Sequence, residues 1–285
     1  MKTAYLILAH ANPKQLERLV DRLAFPGVDI YIHIDKKANF THFEFLKQRP
    51  YVFFVKERVK VSWGAYSIVQ ATVFGLKQIA YTGIAYDIVH LVSGQDYPLK
   101  TNQEINDFFA ANKDKAFMHT LDVATEWQEA IPRVEYYHFT NFSFVGKFKL
   151  ERFFRKLLPK RKLPGNLIAV GRSQWFSINM EHLRYILQYM DEHPEFVRFF
   201  NLTWAPDEIV FQTILFGSPF KSQMVNDNMR YIDWSGGGAS PKNLTMDDRN
   251  AMANSGKFFA RKFNLETDAN VLDWIDQELL GGKSE

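Results

Sequence analysis

Tyr5-Leu6-Ile7-Leu8-Ala9, the interval opened by Asn12-Pro13, and Asp29-Ile30-Tyr31-Ile32-His33-Ile34-Asp35 together decide the fold class of this 285-residue chain. The first run is apolar without alternation, which suits a strand buried on both faces. After Asn12-Pro13, the residues Leu16, Leu19, Val20 and Leu23 recur at i, i+3, i+4 and i+7, the spacing of one helical face. Pro13 suits a first helical turn, where a missing N–H breaks no bond. The third run is a second strand. A strand, a helix and a strand within about 30 residues normally mean two parallel strands joined by a right-handed crossover. Ligands of such sheets bind beyond the carboxyl ends of the strands. Here those ends carry His10 and Asn12, and Asp35 with Lys36.

Moving outward, residues 51–55 read as a third strand, and Ser62-Trp63-Gly64 leads into a helix over about 65–80. A fourth strand over 86–92 ends in the turn-rich break Ser93-Gly94-Gln95-Asp96-Tyr97-Pro98, so Ser93 and Asp96 mark a third carboxyl end. A helix near 103–111 and a strand near 116–121 complete this part. Further on, 173–178 and 229–234 read as strands and 180–190 as a helix; a helix starts at 245–248, 258–263 is a short aromatic-basic element, and 271–280 a terminal helix. The expectation is one α/β domain with a mostly parallel central sheet flanked by helices. Within it, 1–122 would form a nucleotide-binding half, 123–265 an acceptor and catalytic half, and 266–285 a C-terminal helix and tail. Ser235-Gly236-Gly237-Gly238 lacks the strand–turn–helix spacing of a phosphate-binding loop and reads as a flexible connection.

Hydrophobic residues make up 46% of the chain, enough to bury a large core. The absence of cysteine excludes disulfides and thiolate metal sites. A net charge of +3 does not argue for nucleic acid, whereas 15% aromatic residues suit sugar stacking as well as an ordinary core. No apolar run approaches the roughly 20 residues that cross a bilayer, and the amino terminus is too short and unflanked for a signal peptide. The expected location is the cytoplasm, with peripheral contact at the inner membrane face as an extension. That extension rests on residues 147–162, where eight basic residues and one acid are interleaved with Phe148, Phe153, Phe154, Leu157 and Leu158. Such a segment suits an anionic membrane surface or an anionic substrate, and equally a solvated loop–helix.

Chemistry is expected around Thr203-Trp204-Ala205-Pro206-Asp207-Glu208, just before an apolar run. Pro206 suits a first turn, which would put both carboxylates at a helix amino terminus, where the helix dipole favours the ionised form of a base. Ordinary first-turn acids look the same. No two aspartates are separated by one residue, so the D-x-D pair that clamps a divalent ion is missing, and no two histidines stand at i, i+4. A diphosphate would then need side-chain cations, each worth about 4 kcal/mol at 4 Å and an effective dielectric of 20. Arg230 and Lys262 are candidates.

His33-Ile34-Asp35-Lys36-Lys37, residues 91–100, Ser173-Gln174-Trp175-Phe176, Pro206-Asp207-Glu208, Arg230-Tyr231-Ile232-Asp233-Trp234 and Phe259-Ala260-Arg261-Lys262-Phe263 occur in that order. The series, from about residue 3 to 265, resembles the core-2/I-branching glycosyltransferases, which include β-1,6-N-acetylglucosaminyltransferases and peptide O-xylosyltransferases. The resemblance implies a GT-A-type, Rossmann-like fold and metal-independent, inverting transfer from a UDP-sugar to a glycan or glycolipid hydroxyl. N-acetylglucosamine and xylose are the expected sugars. No cofactor and no metal is expected.

Position by position, Glu208 matches the catalytic base, Arg230 and Lys262 the pair that holds the diphosphate, and Asp35 the residue at the uracil or ribose. His10, Trp63, Ser93 and Asp96 complete the expected UDP-sugar site, with Trp175, Asp233 and Trp234 at the acceptor. The chain lacks the anchor, stem and cysteines of animal members, so it looks like a bacterial member that builds a surface glycan. The alternatives are a non-catalytic nucleotide- or glycan-binding protein, and a peripheral membrane binder acting on lipid-linked acceptors.

Overall fold

A strand at Thr3–Ala9 (β1) sends Ala4 and Leu6 to one side and Tyr5, Ile7 and Ala9 to the other, and each set enters a separate buried cluster. That two-sided burial explains the unbroken apolar run. The computed structural model describes residues 1–142, 144–238 and 240–282. Pro13–Leu23 (α1) buries Leu16, Leu19, Val20 and Leu23 on one face, as their spacing predicts, and Val28–Ile34 (β2) returns parallel to β1. Val52–Phe54 (β3), Tyr66–Ala80 (α2) and Ile88–Ser93 (β4) follow in the expected order.

Two expectations change here. The stretch after β4 is only half a turn: Asp96–Pro98 (β5) is a strand of a second sheet. After Asn102–Ala111 (α3), the single strand expected at 116–121 is two, Ala116–Phe117 (β6) and Leu121–Asp122 (β7), in different sheets. Between them the Thr120 amide donates to the Asn226 side chain at 2.8 Å instead of to a strand, and the chain changes sheets.

Ile131–Glu135 (α4) and Lys147–Leu157 (α5) precede Val170–Gly171 (β8) and Phe176–Ile178 (β9). Met180–Glu192 (α6), Pro194–Asn201 (α7) and Val210–Phe216 (α8) then lead to Met224–Val225 (β10) and Arg230–Ile232 (β11). Arg249–Asn254 (α9), Phe259–Arg261 (β12) and Asn270–Trp274 (α10) finish the chain, with a wider helical turn at Ile275–Leu279.

The main sheet has the order β10-β6-β9-β4-β1-β2-β3, and only β9 runs against the other six strands. Because β9 and β10 join β1–β4 in one sheet, residue 122 is no break in it. The second sheet, β11-β12-β5, packs its Phe259 and Ala260 with the Tyr5 and Ile7 side of β1. The end of the chain closes on α1, where the Asp276 carboxylate accepts hydrogen bonds from Arg18, Arg22 and the Tyr97 hydroxyl. Among the described residues, no helix is long and apolar enough to cross a membrane.

Candidate active site

A cavity of about 800 Å³ opens at the carboxyl ends of β1, β2 and β4, where His10, Asp35 and Ser93 border it. Its size suits a nucleotide-sized ligand. Trp63 and Trp234 also line it and remain 65% and 51% exposed, so two indoles stand at the mouth. His10 is exposed, while Asp35 is buried and accepts the Lys37 amide at 2.8 Å. Asn12 and Lys36, at the same strand ends, lie outside the lining. Nearby His33 is buried and accepts the Val59 amide on Nε2 at 3.0 Å; burial lowers its pKa to about 4, so the ring is neutral.

One wall carries carboxylates. Pro206–Glu208 is a separate 3-10 turn, Ile209 breaks it at φ −129°, and α8 starts only at Val210. The two acids therefore precede the helix instead of forming its first turn, and an arginine takes the place expected of the dipole. Arg133 Nη1 donates to Glu208 Oε2 at 2.5 Å, from a guanidinium held 4.7 Å from the Trp127 ring and 4.5 Å from that of Trp204.

The backbone of this wall is also fixed. The Arg172 amide donates to the Glu208 carbonyl at 3.0 Å, and a Cβ on Gly171 would stand 1.9 Å from that oxygen, so only glycine permits the approach of β8. Gly64 does the same beneath Trp204: at φ +69° its carbonyl accepts the Ala205 amide at 2.8 Å, and a Cβ would meet the indole nitrogen at 2.7 Å. Asp207 is buried, and its Oδ1 has no hydrogen-bond partner among the described residues. Burial first, and the charge of Glu208 second, push its carboxyl up to about 7.

The other wall carries cations. Register places Arg261 of β12 opposite Asp96 of β5, and Arg230 of β11 opposite Phe259, two residues before Arg261. The Asp96 carboxylate accepts the Ser93 amide at 3.1 Å and lies 3.1 Å from Arg261 Nε and 3.7 Å from Arg230 Nε. It thus stands behind the cavity lining, between the two guanidiniums, and not on the surface where the UDP-sugar site was expected. Burial disfavours charge on all three groups, raising the carboxyl of Asp96 and lowering Arg261 and Arg230, the latter to about 10.

The Arg230 side chain is likewise set back from the cavity. Its guanidinium donates to the Asn228 and Leu91 carbonyls at 2.5 and 2.6 Å, and its side chain has no exposed surface. Since 4% of the residue is exposed, only its backbone borders the cavity. Lys262, one residue past β12, does reach the lining, with Nζ 3.1 Å from Ser240 Oγ. Burial and the adjacent Arg261 lower its pKa. Trp175 lies under Arg261 at 4.4 Å and is nearly buried, so its indole supports a guanidinium. Asp233 is outside the lining; its carboxylate accepts the Ser235 amide at 2.7 Å and shapes that turn.

Of the eleven residues singled out from the sequence, the cavity gathers all except Asp96 and Asp233. Arg133, Trp127, Arg172 and Arg261 line it without having been singled out. Arg261 carries the same charge signal as its neighbour Lys262. Arg133 carried no local signal. Among the described residues, no three His, Asp or Glu side chains converge as a metal-ligand set.

The model of the Core-2/I-Branching enzyme family matches residues 3–254. The chain is 27% identical over 312 residues to Xylosyltransferase 2 of Canis lupus familiaris, covering 99% of this chain and 34% of that protein. It is 24% identical over 311 residues to Xylosyltransferase 1 of Rattus norvegicus, covering 99% and 36%. It thus spans about a third of the length of these relatives. The apo structure of mouse Xyloside xylosyltransferase 1 is 10% identical over 90% of this chain and 97% of that one, with a TM-score of 0.39. With the family model matched from the first residue of β1 to the end of α9, the chain belongs to the Core-2/I-Branching enzyme family.

Proposed function

We propose that this protein is an inverting glycosyltransferase that moves a sugar from a UDP-sugar to a glycan hydroxyl without a metal ion. The observation that carries the reading is one cavity bordered by both the Glu208 carboxylate and the Lys262 ammonium. Glu208 takes the proton of the acceptor hydroxyl as its oxygen attacks the anomeric carbon. The bond from that carbon to the diphosphate breaks, and UDP leaves with the electron pair. Lys262, with Arg261 behind it, stabilises the charge that develops on the diphosphate. Arg133 is a positioning residue: its hydrogen bond aims the Glu208 carboxylate, and the two indoles hold the guanidinium in place. The names of the relatives favour xylose as the first sugar to test, with N-acetylglucosamine next.

Hydrolysis and thermal-shift measurements with UDP-xylose and UDP-N-acetylglucosamine, with and without excess EDTA, test the donor. Turnover is expected to persist in EDTA, and a strict Mn²⁺ requirement would retire the metal-free mechanism. Glu208→Gln is expected to keep UDP binding and lose about 10²–10⁴-fold in transfer. Unchanged turnover in that variant would remove Glu208 from the reaction.

A further inference from the structure

Helix α5 presents its apolar stripe outward. Leu150, Phe153 and Leu157 recur at i, i+3 and i+7 on one helical face, and they are 36%, 56% and 65% exposed. The face that meets the protein is instead formed by Glu151, whose carboxylate accepts the Phe139 amide at 2.6 Å, and Phe154, which packs on the Phe139 ring. No residue of α5 is buried. Lys149, Arg152 and Lys156 run along the edge of the exposed stripe, and none has an ion-pair partner among the described residues. Phe144 and Val145, just before the helix, extend the exposed apolar surface.

Three other basic groups tie the segment to the body. Arg155 lies 4.1 Å from the Tyr136 ring, Lys160 pairs with Glu135 at 2.7 Å, and Arg161 donates to the Leu202 carbonyl at 2.6 Å. The helix is thus held in a fixed attitude with its apolar side turned away from the core.

We propose that α5 lies in the plane of an anionic phospholipid bilayer. Leu150, Phe153 and Leu157 enter the acyl boundary, while Lys149, Arg152 and Lys156 rest their aliphatic stems on it and reach the phosphates. A nucleic-acid backbone would satisfy the cations but leaves Leu150 and Leu157 nothing apolar to contact, whereas a bilayer satisfies both. This surface is independent of the proposed reaction. If both are right, Arg161 links it to the segment that ends in Trp204, so a lipid-linked acceptor would arrive on the side of the cavity that this segment forms.

Co-sedimentation of the intact chain with phosphatidylcholine vesicles, with and without about one-third phosphatidylglycerol, tests it. Binding to the anionic vesicles that weakens with salt is expected. At about fivefold per basic residue, the triple change K149Q/R152Q/K156Q should weaken it about 100-fold. L150S/F153S/L157S should also weaken it at least tenfold, at unchanged charge. All six positions are at the surface, so the unfolding temperatures should stay put, and Phe153→Trp adds a readout that needs neither triple variant. The emission it adds over the wild type, whose six tryptophans set the baseline, should shift to the blue on the anionic vesicles and be quenched by brominated acyl chains. An unquenched indole, equal binding to neutral vesicles, wild-type binding by both triple variants, or binding to RNA of matched charge density without binding to vesicles would each overturn the proposal.

Discussion

On one side of the cavity a single carboxylate, Asp96, stands between two guanidiniums; on the other, two adjacent carboxylates face a single arginine, which reaches only Glu208. The two walls are therefore out of balance with opposite sign, and Lys262 adds to the positive side. On the cation wall the surplus is positive and permanent, because Arg230, even lowered to about 10, stays protonated at neutral pH. On the acid wall the surplus is a proton site, Asp207, whose carboxyl sits near 7. One wall thus keeps a fixed attraction for an anion, while the other can change its charge by binding a proton.

The same substitution on the two walls should then have different consequences, and the larger belongs to the cation wall. Asp96→Asn leaves two buried guanidiniums facing each other without their counter-charge, a loss of about 3–5 kcal/mol. Urea unfolding at pH 7 measures it. A loss under about 1 kcal/mol would show that the Leu91 and Asn228 carbonyls suffice for Arg230 and would erase the contrast.

The acid wall depends more on backbone fit than on paired charge. Gly171→Ala puts a methyl group 1.9 Å from the Glu208 carbonyl, so β8 and the 206–208 turn must separate. The expected cost is about 1–3 kcal/mol, with a fall in kcat larger than any change in KM because the carboxylate loses its aim. Wild-type stability and turnover would mean that this backbone contact does not position Glu208.

These two walls were unequally legible in the sequence. The strand ends His10, Asp35 and Ser93 follow from the apolar runs of β1, β2 and β4, because a parallel sheet places its binding edge by rule. Glu208 was legible as a residue but not in its setting: Ile209 separates the turn from α8, and its partner Arg133 is 75 residues away. Strand β5 escaped notice because three residues ending in proline read as a turn, and their pairing with β12 depends on a segment more than 160 positions later. Charge alone marks Arg230 in the sequence, whereas the placement of its guanidinium depends on the Leu91 carbonyl, 139 residues distant. Long-range pairing of polar groups has no period, and that is the part of the site the sequence left open.

The sharpest test of the acid wall is read as a pH slope instead of a single loss. The folded-state pKa of Asp207, about 7, lies above the roughly 3.9 of an unfolded chain. Between these values the folded protein holds more protons than the unfolded one, so stability falls as pH rises, by at most about 1.4 kcal/mol per unit. Below about pH 4 both states are protonated, and above about pH 7 both are ionised, so the slope vanishes at either end. Asp207→Asn stays neutral throughout and lacks this slope. Its stability relative to wild type should climb between pH 4 and 7 and then level off, while Glu208-dependent transfer persists. Urea midpoints taken across pH 4–8 for the two proteins decide the matter: curves that run parallel would mean that Asp207 is ionised in the fold, and that Arg133 neutralises both acids instead of one.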